Sequence, residues 1–512
     1  MKHTEYLGDE IAKHGVSAVF GIPGGGATLS LIDNLESKGI PFYLTQFEGS
    51  GALMAATMGR LTGKAGVSLS IKGPGLTNAI PGIAAAWFES FPVVHLAEAA
   101  PRNAPLSQAH KRIDQRLLCK TFTKRSGGLE PGSFTDLANL AQSEEPGPVV
   151  LELTEEIIGD KEDISQPESI ARSLRRSTVE LIKRSNKPIV IAGTLALRQG
   201  FRDALSALSI PVFSTVSAKG IIDETLDHAA GIYTGVGLSL TPESTLISES
   251  DLIICIGLTA KEVLSAKPFK SPAINIEAVD TSGIEGFDFY DRIDVSQFAE
   301  VVDCIIAKSW GLKALALKKK ALFEQLNSHF LPGIVFTTIQ KHFDIFRSVL
   351  DTGYFCTIGE HALKTSAPEL CVMSGQGRYM GTCIPMALAA SICDSTLPTL
   401  AFVGDGGIGM YLAEVRLAVK LRLPVLLILM SDNSFGSIRT RAIKDKLTQK
   451  PLMMDGSSWV PVLNGFGIPS TRIENLSELD RALKSWDIQT GPAFLEINFS
   501  TDLYQLMVTD IR

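Results

Sequence analysis

The sequence predicts an α/β protein built from three doubly wound parallel sheets, and three observations predict it. Short apolar runs such as Val67–Ile71, Pro188–Ala192 and Thr399–Val403 recur along the chain, each the length of a strand buried on both faces. Amphipathic or small-residue stretches of helical length separate them, which is the alternation of a parallel sheet wound with helices. At 512 residues, 45% hydrophobic and 20% charged, the chain is globular and long enough for about three such domains.

Composition narrows the function classes. A net charge of −7 gives no reason to expect nucleic acid or an anionic membrane as partner. The seven cysteines are scattered, with no Cys-x-x-Cys and no metal-ligand spacing, so a reducing cytoplasm is the expected compartment. Met1–Gly15 is charged and amphipathic rather than a secretory leader, and no apolar run reaches the roughly 20 residues of a spanning helix.

Taken in order, Ser17–Ile22 reads as a strand, Pro23-Gly24-Gly25-Gly26 as a tight loop and Ala27–Lys38 as a helix. Pro41–Phe47 reads as a strand ending at Glu48, and the helix that follows is rich in small residues that admit a close neighbour. Val67–Ile71 leads into Gly73-Pro74-Gly75-Leu76-Thr77-Asn78 and a further helix, and Val93–Ala97 is another buried strand. Taken alone, Glu48 is a first-turn carboxylate that complements a helix dipole. Ser107–Asp114, which holds His110, Lys111 and Arg112, reads alone as an exposed basic loop.

Residues 156–170 are polar and acidic, a linker pattern. A second α/β segment follows, with strands over Pro188–Ala192, Pro211–Thr215, Asp251–Gly257 and Ala273–Ile276 and a helix near Gln199–Ala207. Trp310–Phe330 reads as a linker helix. Beyond Pro332, Tyr354–Gly359 reads as a strand that ends at Glu360-His361.

Thr399–Val403 is a buried strand broken by Gly404-Asp405-Gly406-Gly407. A helix is expected from about Met410 to Leu421, then a strand over Pro424–Met430 ending in Ser431-Asp432-Asn433-Ser434. Open parallel sheets bind ligands at the carboxyl ends of their strands, and glycines there let backbone N–H groups approach a phosphate. An Asp among those N–H groups repels a phosphate unless a cation lies between. Asp405, Asp432 and a backbone carbonyl suit Mg2+ or Ca2+ bridging a diphosphate. Gly-Asp-Gly alone reads rather as a core turn with surface acids. Residues 445–460 form a long loop of the kind that covers a site.

The spacing of Gly404-Asp405-Gly406, a helix, a strand, Ser431-Asp432 and Phe435-Gly436 resembles the cofactor signature of thiamine diphosphate (ThDP) enzymes of the acetolactate synthase, pyruvate decarboxylase and benzoylformate decarboxylase type. Phe20-Gly21-Ile22-Pro23-Gly24, Gly73–Ala79, Ser217-Ala218-Lys219-Gly220 and Ser374–Gly381 stand in family order. The resemblance implies a pyrimidine-binding domain over 1–160, a central domain over 175–310 and a diphosphate-binding domain over 331–512. It implies ThDP and Mg2+ as cofactors. FAD is not expected in the central domain, because Gly193-Thr194-Leu195-Ala196 and Leu258-Thr259-Ala260-Lys261 depart from the flavin pattern.

The roles carried over by the resemblance are specific. Asp405, Asp432 and the Ser434 carbonyl become metal ligands, with Gly404, Gly406, Gly407, Phe435 and Gly436 around the diphosphate. His361 is assigned to the diphosphate as well. Pro23, Gly24, Gly25, Pro74 and Asn78 belong to the pyrimidine side. Met380 becomes the apolar wedge under the cofactor, and the Arg378 carbonyl accepts from the aminopyrimidine. Glu48 shares a proton with pyrimidine N1′, and its small neighbours Gly49, Gly51 and Ala52 are expected to raise its pKa. Two departures stand out: Ser431-Asp432 replaces the usual Asn-Asn, and Phe47 stands where relatives often have His. His110 takes a position from which it could touch substrate, and Lys111 and Arg112 suggest a substrate with an additional anionic group. The implied reaction is non-oxidative decarboxylation of a small-molecule 2-oxo acid, with or without carboligation to an acceptor. The implied assembly is a homodimer or homotetramer with active sites between subunits. A flavin-dependent ThDP oxidase and a non-catalytic homologue are the competing readings.

Overall fold

The computed structural model describes residues 3–100, 110–128, 133–154, 174–198, 201–262, 269–277, 288–292, 298–507 and 511. The linker expected over 156–170 lies outside the described residues, as do 107–109 of the basic loop. Among the described residues, three six-stranded sheets carry the fold, and every strand pairing within them is parallel.

The first sheet holds β1 (Val19–Ile22), β2 (Phe42–Leu44), β3 (Gly66–Ser70), β4 (Val93–Glu98), β5 (Arg125–Gly128) and β6 (Pro148–Leu153), in the order β2-β1-β3-β4-β6-β5. The second holds β7 (Pro188–Ala192), β8 (Val212–Ser214), β9 (Ala229–Ile232), β10 (Leu252–Ile256), β11 (Ala273–Glu277) and β12 (Phe289–Arg292), in the order β12-β11-β10-β7-β8-β9. The third holds β13 (Arg347–Leu350), β14 (Cys371–Met373), β15 (Thr399–Gly404), β16 (Val425–Ser431), β17 (Ser470–Ile473) and β18 (Ala493–Asn498), in the order β14-β13-β15-β16-β18-β17. The first and third sheets thus share one winding, with the chain reversing direction across the sheet between the first and third strands of each. Such a reversal opens a crevice at the carboxyl ends of the two strands.

Contacts group the chain into two compact units. One comprises Met1–Pro167 with Ile384–Thr396 and Tyr411–Leu423; the other comprises Glu168–Cys383, Leu397–Met410 and Pro424–Arg512. Within the first unit, the helix Glu48–Thr62 is buried from Glu48 through Gly59, as a helix enclosed on all sides must be. Its small residues serve close packing. A side chain at Gly51 would lie 2.8 Å from the Gly21 Cα, and one at Gly59 would lie 2.1 Å from the Pro92 oxygen. The facing helix Pro74–Glu89 has Gly82 against the Gly49 carbonyl, where a Cβ would lie 2.1 Å away.

The second unit contains the other two sheets. At the reversal of the second sheet, the loops after β7 and β10 meet backbone to backbone: Gly193 N donates to Ile256 O at 2.7 Å and Leu195 N to Gly257 O at 2.9 Å. The third sheet packs Phe336, Phe355, Phe402 and Leu426 into one core.

One expected element is corrected. Tyr354–Gly359 is not a strand; the helix Tyr354–Ala362 occupies it, and the strand of this unit is β13, four residues earlier. A short apolar run does not distinguish strand from buried helix by itself. Here Phe355, Ile358 and Gly359 fall on one helical face, and Gly359 allows the Phe336 ring close, 2.9 Å from where its Cβ would be. The helix expected from Met410 to Leu421 is likewise shorter. A single 3-10 turn at Leu412–Glu414 precedes the helix Val415–Leu421. Among the described residues, no helix is long and apolar enough to cross a membrane.

Candidate active site

In the second unit, Asp405 follows β15 and opens a four-residue helical turn, Asp405–Ile408. Its carboxylate organises the next strand end. Oδ1 accepts from Ser431 Oγ at 2.7 Å, and Oδ2 accepts from the Asp432 and Asn433 backbone N–H groups at 3.0 and 3.1 Å. Asp432 in turn accepts the Ser434 hydroxyl at 2.6 Å, and its carbonyl takes the Thr501 hydroxyl at 3.0 Å. Asn433 has φ 55°, the left-handed geometry that a short polar side chain tolerates and that turns the chain tightly here. Gly406 leaves room for the Phe435 ring, 2.6 Å from where a Cβ would sit.

Asp432 is buried and Asp405 half-buried, and no Lys or Arg pairs with either among the described residues. Burial pushes the Asp432 carboxyl up to about 6, with neighbouring Asp405 adding to the rise and the Ser434 hydroxyl opposing it. Burial raises Asp405 too, against the hydrogen bonds from Ser431, Asp432 and Asn433. Two adjacent carboxylates beside the Ser434 carbonyl, whose only cationic influence among the described residues is the Arg439 charge acting on Asp432 without an ion pair, are a donor set that suits a hard divalent ion. The residues present therefore fit Mg2+. The loop expected to cover a site folds onto this turn: Met454 N donates to Asn433 O at 2.8 Å and Phe435 N to Leu452 O at 2.9 Å.

A residue missed in the sequence sits at the reversal point itself. Asp351 follows β13, is wholly buried, and accepts from Gly381 N at 2.7 Å. A Cβ at Gly407 would lie 2.1 Å from Asp351 Oδ2, so Gly407 is the residue that lets the two glycine loops close around one carboxyl group. Burial raises Asp351 to about 7, with backbone N–H groups of Gly381 and Thr352 pulling the other way. Its only sequence signal was a lone Asp after the apolar pair Val349-Leu350.

The segment Ser374–Gly381 is held from both ends. Tyr379 N donates to Ser374 Oγ at 2.9 Å, and Arg378, at φ 52°, pairs with Glu360 at 2.7 Å. Met380 is half-buried in this segment. His361 is not at a strand end. It lies in the last turn of the helix Tyr354–Ala362, seven residues or roughly 10 Å along the axis from Tyr354. It lines a separate cavity with Lys319 and Lys364. The strand end that suggested a diphosphate contact for it is absent.

In the first unit, Glu48 opens its helix and is 8% exposed. Its Oε2 accepts from Asn78 Nδ2 at 3.2 Å, which brings together two of the expected residues. Pro74 is the first residue of the helix carrying Asn78, where its missing N–H costs nothing. Gly24 N donates to Thr28 Oγ1 at 2.8 Å, whereas a Cβ at Gly25 would meet nothing within 4 Å. Two acids were missed. Glu98, at the end of β4, lies 2.5 Å from where a Gly24 Cβ would be, and its Oε1 has no hydrogen-bond partner among the described residues. Glu414 is buried and accepts from Gln46 N at 3.0 and 3.1 Å, two residues before Glu48. Burial raises Glu414, with the Gln46 and Phe47 N–H groups opposing.

The basic loop borders a cavity of about 390 Å3 at the carboxyl ends of β3, β4 and β6, rimmed by Lys72, Lys111, Arg112 and Arg116. Arg116 is paired with Glu152 at 2.7 Å. His110 lies in an exposed turn and does not line this cavity.

Three family profiles match the chain. A thiamine pyrophosphate enzyme N-terminal TPP binding domain matches residues 1–117, the central domain of the same enzymes matches 176–286, and their C-terminal TPP binding domain matches 351–497. The chain is similar to a probable acetolactate synthase large subunit from Methanocaldococcus jannaschii, 24% identical across 97% of this chain and 92% of the relative. It is similar to a probable 2-ketoarginine decarboxylase from Pseudomonas aeruginosa, 25% identical across 95% and 92%. It is also similar to an acetolactate synthase from Bacillus subtilis, 22% identical across 96% and 92%.

Proposed function

Because the chain carries all three domains of the thiamine pyrophosphate enzymes and so belongs to that superfamily, we propose that it is a ThDP- and Mg2+-dependent enzyme that decarboxylates a 2-oxo acid and, given an acceptor, joins the remaining fragment to it. The observation that supports this best is the adjacent pair Asp405 and Asp432 at neighbouring strand ends, neither of them in an ion pair among the described residues, with the Arg439 charge opposing the rise of Asp432 only in part. Asp405, Asp432 and the Ser434 carbonyl would hold Mg2+, which supplies the counter-charge a diphosphate needs. Bound ThDP supplies the electron sink for loss of the substrate carboxylate.

The remaining tasks fall to side chains. Glu48, buried and steadied by Asn78, would hold a proton against the pyrimidine ring nitrogen. Met380 would act as the wedge beneath the cofactor, and the Arg378 carbonyl, in a segment anchored through Glu360, would accept from the amino group. The Lys72, Lys111 and Arg112 rim favours a substrate or acceptor with a second negative charge. It disfavours a cationic side chain such as that of 2-ketoarginine. A cytoplasmic homodimer or homotetramer completes the reading, and light scattering gives the mass.

Calorimetric titration with ThDP, with and without Mg2+, tests the cofactor. Asp405→Ala should abolish Mg2+-dependent binding, and Asp432→Asn should keep or tighten it. Wild-type affinity in Asp405→Ala would sink the reading. CO2 release from a panel of 2-oxo acids tests the reaction, and Lys111→Ala should impair a dicarboxylic substrate more than pyruvate.

A further inference from the structure

The cavity that receives His361 has a composition unlike the rest of the surface. It encloses about 470 Å3 within the second unit, between the helices Leu312–Leu326 and Pro332–His342, the last turn of Tyr354–Ala362, and β9. That size suits a small-molecule ligand. It lies at the end of Tyr354–Ala362 opposite to Tyr354, whose phenol is within electrostatic reach of Asp432.

Its lining combines cationic and apolar side chains. Lys319, Lys320, Lys341 and Lys364 all border it. Its two carboxylates are already neutralised: Glu224 pairs with buried Lys219 at 2.6 Å, and Glu360 pairs with Arg378 at 2.7 Å. Lys319 is half-buried, and its ammonium donates to the backbone carbonyls of Leu226 and Ala229 at 3.3 and 3.0 Å. No carboxylate pairs with Lys319, Lys341 or Lys364 among the described residues. Burial and the nearby Lys364 charge lower the Lys319 pKa, with Glu224 and Asp227 opposing, so Lys319 and Lys364 lie close enough to repel each other. Leu322 and Leu326, on the same helix as Lys319, and Ala230 add apolar lining, and the Phe323 ring, which also borders the cavity, is 51% exposed. The Asn327 carboxamide lies beside it, a group that can donate to or accept from a heteroaromatic edge.

A lone inorganic anion would use the lysines and leave the apolar lining and exposed ring wet. A fatty or purely apolar ligand would bury ammonium groups without partners, which is costly. We propose that this cavity binds a nucleoside phosphate, its phosphates on Lys319, Lys341 and Lys364 and its base against Phe323 and Leu326. The proposed lysine and aromatic contacts do not depend on the reaction assigned above.

The test is calorimetry with ADP on protein saturated with ThDP and Mg2+, with inorganic pyrophosphate as the charge-only probe. ADP is expected to bind at one site per chain, at least tenfold tighter than pyrophosphate. Lys341→Ala/Lys364→Ala, which alters exposed side chains, should weaken ADP at least tenfold while ThDP affinity stays at the wild-type value. Phe323→Ala should weaken ADP but not pyrophosphate. Absence of ADP binding, equal affinity for both probes, or ADP binding untouched by the lysine variant would each overturn the proposal. If ThDP itself fails to bind, the same titration on the cofactor-free protein still reads the lysine variant.

Discussion

Asp351 offers a sharp test of how the third sheet closes on its glycine loops. Its carboxyl is pushed to about 7 from an ordinary 3.8, chiefly by burial. A carboxyl raised on folding binds its proton more tightly in the native state. Its stabilising effect is therefore complete below about pH 4 and is lost as pH rises through about 7. Each pKa unit corresponds to about 1.4 kcal/mol, so the whole shift is worth on the order of 4 kcal/mol, of which about 3 kcal/mol falls between pH 5 and 8.5. Asp351→Asn keeps an acceptor for the Gly381 N–H and cannot ionise. Thermal unfolding of both proteins, followed by near-ultraviolet circular dichroism without cofactor, isolates the effect because other titrations cancel in the difference. At about 1–2 °C per kcal/mol for a unit of this size, the variant should gain roughly 3–6 °C on the wild type between pH 5 and 8.5. A difference that stays constant with pH would show that Asp351 is ionised throughout, and the reasoning from burial would fail.

Three further outcomes are expected. His95, buried between the Ser68 and Ser70 hydroxyls at 2.9 Å each, has its pKa lowered to about 3 by burial, so its stabilising effect is full above about 6.5 and fades as pH falls; NMR of its ring nitrogens should show no titration from pH 8 to 5, and an inflection near 6 would contradict this. Glu414→Ala removes the acceptor of the Gln46 N–H and should speed amide exchange at residues 46–48 roughly tenfold, a loss of about 1–2 kcal/mol, with β15 and β16 unchanged. Gly82→Ala places a Cβ 2.1 Å from the Gly49 oxygen and should cost about 1–3 kcal/mol; a wild-type melting temperature would mean that the two helices separate more easily than their packing indicates.

The fold was legible wherever a strand is buried on both faces. Pro188–Ala192 matches its expected bounds, Thr399–Val403 falls one residue short of β15, and Pro424–Met430 is offset from β16 by one residue at each end. Such strands are continuous apolar runs, and parallel pairing covers both their faces. Tyr354–Gly359 misled for the same reason. A buried helix end is also a short apolar run, and only its packing on Phe336 decides. The short edge strand Ser470–Ile473, with burial on one residue in four, carried little apolar signal.

The candidate site was legible where one backbone turn contains it. Asp405, Asp432 and Ser434 meet because a βαβ unit brings consecutive strand ends together, and chain order records that. Glu98, Asp351 and Glu414 were not legible, because each acts through a residue distant in sequence. Asp351 holds Gly381, Glu98 stands against Gly24, and Glu414 holds Gln46 across 368 positions. All three are carboxylates that accept or await a backbone or ligand donor rather than a lysine or arginine. Charge pairing along the chain therefore had nothing to announce them. His361 shows the converse: the strand end that Glu360-His361 suggested is the last turn of a helix. The residues that tune such a site, as distinct from those that name it, are fixed by which loops the sheet reversal brings together.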